Sequence, residues 1–175
     1  DKTREDGCVT VLEEGVKEAY LEAVRKNTLL WDEPDPCGDA FSQLKVCYTP
    51  LNGSGLGYVI KALESLGVGE VDVVESQKEA DGNFPTCPSP NPENDAAFAE
   101  ALKMCAAQGN KYDLILATDP DSDRMGAAVL TDGSYCKLSG NQVGELMFDY
   151  ILRCKSREKG GGRLPQEAVA IKSFV

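Results

Sequence analysis

The chain has 175 residues, 42% of them hydrophobic, which is enough for one well-buried domain with a small appendage and too little for two full domains. Its 29 acidic residues against 18 basic ones give a formal net charge of -11, which argues against nucleic acid or an anionic membrane as the main partner. Histidine is absent, which excludes Ser-His-Asp and Cys-His triads, His-ligated zinc and imidazole acid–base chemistry within this chain.

No apolar stretch approaches the ~20 residues that span a bilayer, and the opening Asp1-Lys2-Thr3-Arg4-Glu5-Asp6 is too charged for a signal sequence, so a cytoplasmic setting is expected. Thr10-Val11-Leu12-Glu13 has the form of a capping box. Val16, Ala19, Tyr20, Ala23 and Val24 follow at helical spacing, predicting an amphipathic helix that ends near Asn27. A loop with Pro34, Pro36 and Gly38 comes next. Residues 44–48 form a short apolar run, then Thr49-Pro50-Leu51-Asn52-Gly53-Ser54-Gly55-Leu56-Gly57 leads into Val59, Ile60, Leu63 and Leu66 at helical spacing, with Gly67 as the stop. Residues 71–74 supply a second strand.

A polar loop with Pro85, Pro88, Pro90 and Pro92 precedes Asn94, which is placed to cap a helix carrying Phe98, Ala101, Leu102 and Cys105 and closed by Gly109. Residues 113–117 and 126–130 read as strands three and four, and Asp132-Gly133 favours a tight hairpin turn. So few residues separate these two strands that the fourth is expected to run antiparallel. A last helix opens at the box Ser139-Gly140-Asn141-Gln142 and presents Val143, Leu146, Met147, Tyr150, Ile151 and Cys154 as one apolar stripe, ending at Lys159-Gly160-Gly161-Gly162. Residues 168–175 have a strand pattern with no polar ending. Together with the start at Asp1, this suggests a piece of a larger protein. The expected fold class is α/β, a three-layer α/β/α domain with a mixed, mostly parallel sheet.

The seven cysteines, Cys8, Cys37, Cys47, Cys87, Cys105, Cys136 and Cys154, are odd in number and never form a CxxC pair, so they read as reduced, mostly buried apolar residues. The most informative segment is Asp119-Pro120-Asp121-Ser122-Asp123-Arg124, just beyond the carboxyl end of a predicted parallel strand, where open α/β sheets bind ligands. Carboxylates at alternate positions of a tight turn repel one another unless a cation sits between them, and hard oxygen ligands suit magnesium. An EF-hand loop is excluded, since its sixth and twelfth positions would be Arg124 and Leu130 rather than glycine and glutamate. Arg124 is then a fixed cation suited to a phosphate, or else a partner for an aspartate of its own loop. The turn at Gly53, Ser54, Gly55 and Gly57, with Glu75 closing the next strand, imitates a dinucleotide fingerprint. Its GxGxG spacing and the flanking Pro50 and Asn52 point instead to close packing or to cradling an anion.

Three segments in this order, Tyr48 to Gly55, Pro88-Ser89-Pro90-Asn91-Pro92-Glu93 and Asp119 to Arg124, resemble the second domain of the α-D-phosphohexomutases, the phosphoglucomutase and phosphomannomutase family. Ser139-Gly140-Asn141-Gln142-Val143-Gly144 resembles the opening of that family's third domain. The resemblance implies that residues 1–137 are the domain with the magnesium loop and residues 138–175 the start of the next. It also implies that Asp119, Asp121 and Asp123 bind Mg2+ and that Arg124 meets a phosphate. By the same resemblance the parent enzyme interconverts hexose 1-phosphates and 6-phosphates through a phosphoserine and a hexose 1,6-bisphosphate intermediate. The family's Ser-His-Asn-Pro segment needs a histidine, so the nucleophile belongs to another domain of the same chain. This portion therefore holds no catalytic residue and should be inactive alone. Lys172 sits in a strand that lines the cleft of the whole enzyme or is simply solvated. Two alternatives are a haloacid-dehalogenase-like phosphatase with Asp119 as nucleophile and Asp121 as acid, disfavoured by the missing threonine at position 123, and a non-catalytic dinucleotide-binding module at the Gly53 turn.

Overall fold

Apolar runs of four to seven residues become, in a computed structural model that describes residues 15–29, 39–158, 164 and 167–171, the strands of a single sheet. They are β1 (Lys45–Thr49), β2 (Glu70–Val73), β3 (Leu114–Thr118), β4 (Met125–Thr131) and β5 (Ser134–Leu138), in the order β2-β1-β3-β4-β5. β1 pairs in parallel with β2 and β3, whereas β4 is antiparallel to both β3 and β5, so only β4 runs against the others. The expected mixed sheet and the reversed fourth strand are both present. The fifth strand, unnamed by the sequence reading, is the return arm of the Asp132-Gly133 hairpin. Both turn residues have positive φ, 49° and 79°, as a two-residue turn with the native strand twist requires.

The helices longer than one turn are α1 (Gly15–Lys26), α2 (Leu56–Ser65), α3 (Ala99–Ala107) and α4 (Gly140–Glu158), and a short helical turn, Ala40–Gln43, leads into β1. Side chains alternate across β1 and β3, and that alternation splits the core in two. Cys47, Ile115 and Ala117 face one way and pack with Phe98, Ala101 and Cys105 of the α3 segment. Val46, Tyr48 and Leu116 face the other way and pack with Leu56, Val59, Ile60 and Leu63 of α2. With helices on both faces, β1 and β3 are buried almost throughout, which is why they read as continuous apolar runs rather than alternating ones. α1 lies outside α2, its Tyr20 ring edge-on to Tyr58 at 5.5 Å between centroids.

The ends of the helices follow the sequence in most places. Gly67, with φ of 79°, ends α2, and Gly109 and Asn110 end α3 with Asn110 N–H returning to Cys105 O at 2.8 Å. The box at Ser139 is realised in both directions: Ser139 N–H donates to Gln142 Oε1 at 2.8 Å and Gln142 N–H to Ser139 Oγ at 3.2 Å. Asn94 departs from expectation, since its side chain makes no cap. The chain instead enters α3 through a 3-10 turn, Asp95–Phe98, whose Ala97 N–H bonds the Asn94 carbonyl. The stripe on α4 is covered only in part by the described residues: Leu146 and Met147 are more than half exposed, whereas Cys154 is buried and Tyr150 Oη donates to Leu29 O.

The strand expected at 168–175 does not form over the described residues 168–171, where Val169 and Ile171 are exposed and no described strand lies alongside to complete a hydrogen-bond ladder. The Thr10 box, the loop at 31–38, Cys8, Cys37, the glycines after Lys159, and Lys172 lie outside the described residues. The remaining cysteines are free, with Cys136 exposed and Cys47, Cys87, Cys105 and Cys154 buried, and burial pushes the thiols of Cys47 and Cys87 up. Among the described residues no helix is long and apolar enough to cross a membrane.

β2 is tied to the segment entering β3 by polar contacts. Tyr112 Oη donates to Asp72 Oδ2 at 2.6 Å, and Lys111 Nζ bonds both Asp72 and Glu70. The Tyr112 hydrogen bond, against the upward pull of burial, holds the Asp72 carboxyl below its usual range. The carboxylate therefore contributes fully above its unfolded pKa, and the contribution is lost as pH falls through the lowered folded value. Tyr112→Phe should cost about 1 kcal/mol at neutral pH in a urea titration. The variant should also lose less stability than the unaltered chain below about pH 4.

Candidate metal centre

β3 and β4 pair to the end, Thr118 opposite Met125, so the six residues between them form a closed turn beyond the carboxyl end of β3, the central strand. Asp119 N–H bonds Arg124 O at 3.2 Å, and Ser122, at φ of 63°, donates its N–H to Asp119 O at 3.0 Å. This tight path turns alternate side chains inward. One oxygen from each of Asp119, Asp121 and Asp123 lies within 4.8 Å of the others. Two ligands of an octahedral Mg2+ with bonds of 2.0–2.1 Å are about 2.9 Å apart when cis and about 4.2 Å apart when trans, so the three carboxylates would draw together to share a small hard cation. Three hard anionic oxygens are also the donor set such an ion selects.

The three carboxylates are not equivalent. Asp119 is only 1% exposed, and both its oxygens are engaged by Arg124, Oδ1 by the backbone N–H at 3.0 Å and Oδ2 by Nε at 2.8 Å. Burial alone would push Asp119 up, but these contacts outweigh it and hold the carboxyl below its usual range. Asp121 and Asp123 are exposed. The charge of Asp121 first, then burial and Asp119, pushes the Asp123 carboxyl up, so the turn holds net repulsion that a divalent cation would relieve.

Arg124 adopts the pairing that the sequence left as its second possibility. Its Nε meets Asp119 and lies 3.6 Å from Asp123, while its Nη groups make no hydrogen bond among the described residues and the side chain is 53% exposed. One edge of the guanidinium thus braces the turn and the other borders a groove of about 630 Å³ shared with Pro92, Glu93, Lys137 and Ser139. A second groove, of about 590 Å³, flanks the turn on the other side, between α1, α2, Asp121 and Ser122.

Beneath the carboxylates lies a layer that sequence reasoning noticed without assigning. A Cβ on Gly53 would sit 2.3 Å from Pro120 Cα, and one on Gly55 would sit 2.5 Å from Ser122 Oγ and 2.6 Å from Tyr48 Oη. Tyr48 Oη is in turn 2.8 Å from Thr118 Oγ1, joining the ends of β1 and β3. The glycines therefore serve close packing against the acidic turn. The Cβ positions of Gly53 and Gly55 are filled by Pro120, Ser122, Tyr48 and Thr118, and this close packing counts against the dinucleotide reading, while the double engagement of Asp119 counts against its use as a phosphatase nucleophile. The PNPE segment also packs here, with Pro92 O at 2.8 Å from the place a Gly126 Cβ would occupy. Its spacing in the sequence carried no sign of that contact.

Comparison with known proteins agrees on one family. The profile described as phosphoglucomutase/phosphomannomutase, alpha/beta/alpha domain II, matches residues 18–133. A phosphoglucomutase of Staphylococcus haemolyticus is 34% identical over 165 residues, covering 94% of this chain and 27% of that protein. One from Staphylococcus aureus is 36% identical over 117 residues, covering 66% of this chain and 21% of that protein. The chain thus spans about a quarter of the length of these relatives. A crystal structure of a phosphoglucomutase/phosphomannomutase family protein from Burkholderia thailandensis superimposes with a TM-score of 0.58 at 20% identity, over 79% of this chain and 26% of that one, and shares the fold.

The packing beneath the turn makes a steric prediction. Gly55→Ala should destabilise the chain by about 1–3 kcal/mol in chemical denaturation, because Tyr48, Thr118 and Ser122 leave the new methyl no room. Gly57→Ala, in the first turn of α2 with nothing near its Cβ position, should instead be neutral to stabilising, by up to about 1 kcal/mol, in the same measurement.

Proposed function

The chain belongs to the phosphoglucomutase/phosphomannomutase family, whose domain II it carries, and from that premise we propose that it is the cation-holding part of a hexose phosphate mutase. In this reading Asp119, Asp121 and Asp123 hold Mg2+ and Arg124 contacts a phosphate of the sugar. The phosphoserine that exchanges phosphate with the hexose, through a hexose 1,6-bisphosphate, stands on another domain of the same polypeptide. Bound, the cation would neutralise charge on the phosphoryl group in transit. The observation that carries the reading is the convergence of three carboxylate oxygens within 4.8 Å on a strand-end turn.

The division of labour within the turn follows from burial and bonding. Asp119 is ionised and immobile, so it is the anchor of the set. Asp121 and Asp123, exposed and mutually repelled, supply the oxygens that can adjust to an ion. Arg124 keeps Asp119 in place with Nε and has its Nη edge for an incoming anion, which it can meet as a planar donor pair. With a net charge of -11, the chain depends on such local cations to receive a phosphate at all. Substrate and the remaining domains are thus the partners proposed, in a cytoplasmic setting, with no role for nucleic acid or membrane.

Thermal unfolding in added Mg2+ tests the assignment without requiring activity. At pH 7 and a cation concentration ten times the dissociation constant, the chain should gain about 1.4 kcal/mol of stability. The gain should vanish below about pH 4, where the carboxylates protonate. It should also vanish in Asp121→Ala combined with Asp123→Ala. These two sites are preferred over Asp119 because they are exposed, so the variant keeps its fold. An undiminished gain in the double variant would remove the metal assignment. In a separate assay, the chain given glucose 1-phosphate, glucose 1,6-bisphosphate and Mg2+ should show no turnover, and measurable turnover would mean that the nucleophile is not on another domain.

A further inference from the structure

We propose that Ser54 is a positioning residue for the cation, acting with Gly53 as a clasp on Pro120 that sets the offset between Asp119 and Asp121. The inference rests on the metal reading above and extends it to residues that touch no ion. Ser54 donates twice to Pro120 O, from its backbone N–H at 2.8 Å and from Oγ at 3.0 Å. Gly53 presses so close that a Cβ there would sit 2.3 Å from Pro120 Cα and 2.5 Å from Pro120 O.

The position of the contact gives it leverage. Pro120 is the single residue between Asp119 and Asp121, and its ring fixes φ. The remaining freedom is ψ, the rotation that orients the Pro120 carbonyl and, through that peptide plane, the Asp121 backbone. Two hydrogen bonds to that carbonyl fix the rotation. The offset between the buried carboxylate and the exposed one is thus set by protein bonds and not left to their mutual repulsion.

The clasp itself is built on a turn that would not persist without support. Leu51 and Asn52 are successive non-glycine residues with φ of 49° and 58°. Asn52 is held by three contacts: its N–H to Gln77 O at 2.8 Å, Nδ2 to Glu79 O at 2.8 Å, and its carbonyl to Asp81 N–H at 3.1 Å. Below it, Leu51 N–H bonds Thr49 Oγ1, Thr49 Oγ1 bonds Gln77 Oε1 at 2.7 Å, and Gln77 Nε2 bonds Thr86 Oγ1 at 2.9 Å, a buried polar chain. Asn52 Oδ1 is buried and has no hydrogen-bond partner among the described residues, so there the turn carries an unmet acceptor besides its strained backbone. A strained turn held this firmly, ending on the acidic loop, is what a positioning device requires.

The test compares the unaltered chain with Ser54→Ala, Ser54→Thr and Ser54→Cys, reading amide exchange in cation-free protein and Mn2+ affinity by electron paramagnetic resonance. Ser54 is exposed, so the folded state and melting temperature should be retained. Ser54→Ala should speed exchange at the Ser122 and Arg124 amides about tenfold and weaken Mn2+ about tenfold, the lower end of what outer-layer partners of metal ligands contribute. Ser54→Thr, which keeps the hydroxyl, should restore both. Ser54→Cys, similar in size and a poor donor, should repeat the loss and replaces the alanine variant should that one fail to fold. Unchanged exchange and affinity in Ser54→Ala would overturn the clasp. If the unaltered chain takes up no Mn2+, the cation reading falls, and the exchange rates still decide whether Ser54 holds the loop.

Discussion

Like charges held at short range are the constraint around which this fold is arranged. The acidic turn brings three carboxylates to within a few ångströms, and in isolation such a turn would open. It stays closed because its two ends are paired strands, its first carboxylate is buried against an arginine, and its middle is pressed by a second turn from a neighbouring strand. The first two restraints belong to the β3–β4 hairpin itself, and the third comes from the segment that follows β1. The sheet makes that possible by ending β1 and β3 side by side, so the segments that leave them, one rich in glycine and one rich in aspartate, emerge in contact. The placement agrees with the general habit of open α/β sheets, in which ligands gather beyond the carboxyl ends of the strands.

How much of this was legible in the sequence differed by kind of interaction. Short apolar runs flanked by helical spacing predicted four strands and the helices between them, because burial on both faces leaves a strong compositional trace. The fifth strand, Ser134–Leu138, left a weaker trace: it lies at the sheet edge and mixes Ser134 and Lys137 with apolar residues. The aspartate triad was readable because alternation in a turn has one chemical consequence. For Gly53 and Gly55 the sequence left close packing and anion cradling both open, because a glycine that admits a neighbour and one that admits a phosphate look the same until the neighbour is known, and the packing against Pro120 and Ser122 is what the structure has; the contact of Ser54 left no trace. Asn94 shows the opposite failure. Its residue type fitted a cap, but a 3-10 turn had already satisfied the backbone there.

Family membership and local geometry support each other at different levels. Sequence identity of 34% to a phosphoglucomutase, over nearly all of this chain and about a quarter of the other, establishes what kind of domain this is. It does not by itself explain how the acidic turn is held together. The explanation lies in the unequal burial of the three aspartates and in the arginine that braces one of them while keeping a free edge. The apolar row on α4, exposed along several turns, belongs to a different economy. It has no counterpart in the core of this sheet, whose two faces are already covered by α2 and α3.

The double engagement of Asp119 has an implication for lineages that carry this fold. If a gene copy were released from its chemistry, the two solvent-facing acids could drift to any polar residue with little structural penalty, whereas the hidden acid and its arginine would be retained by the demands of folding alone. A relative that keeps only that pair would look half conserved, yet it would lack the three converging carboxylate oxygens seen here. Counting surviving acids is therefore a poor guide to whether such a descendant still works; which of them survive is the informative question.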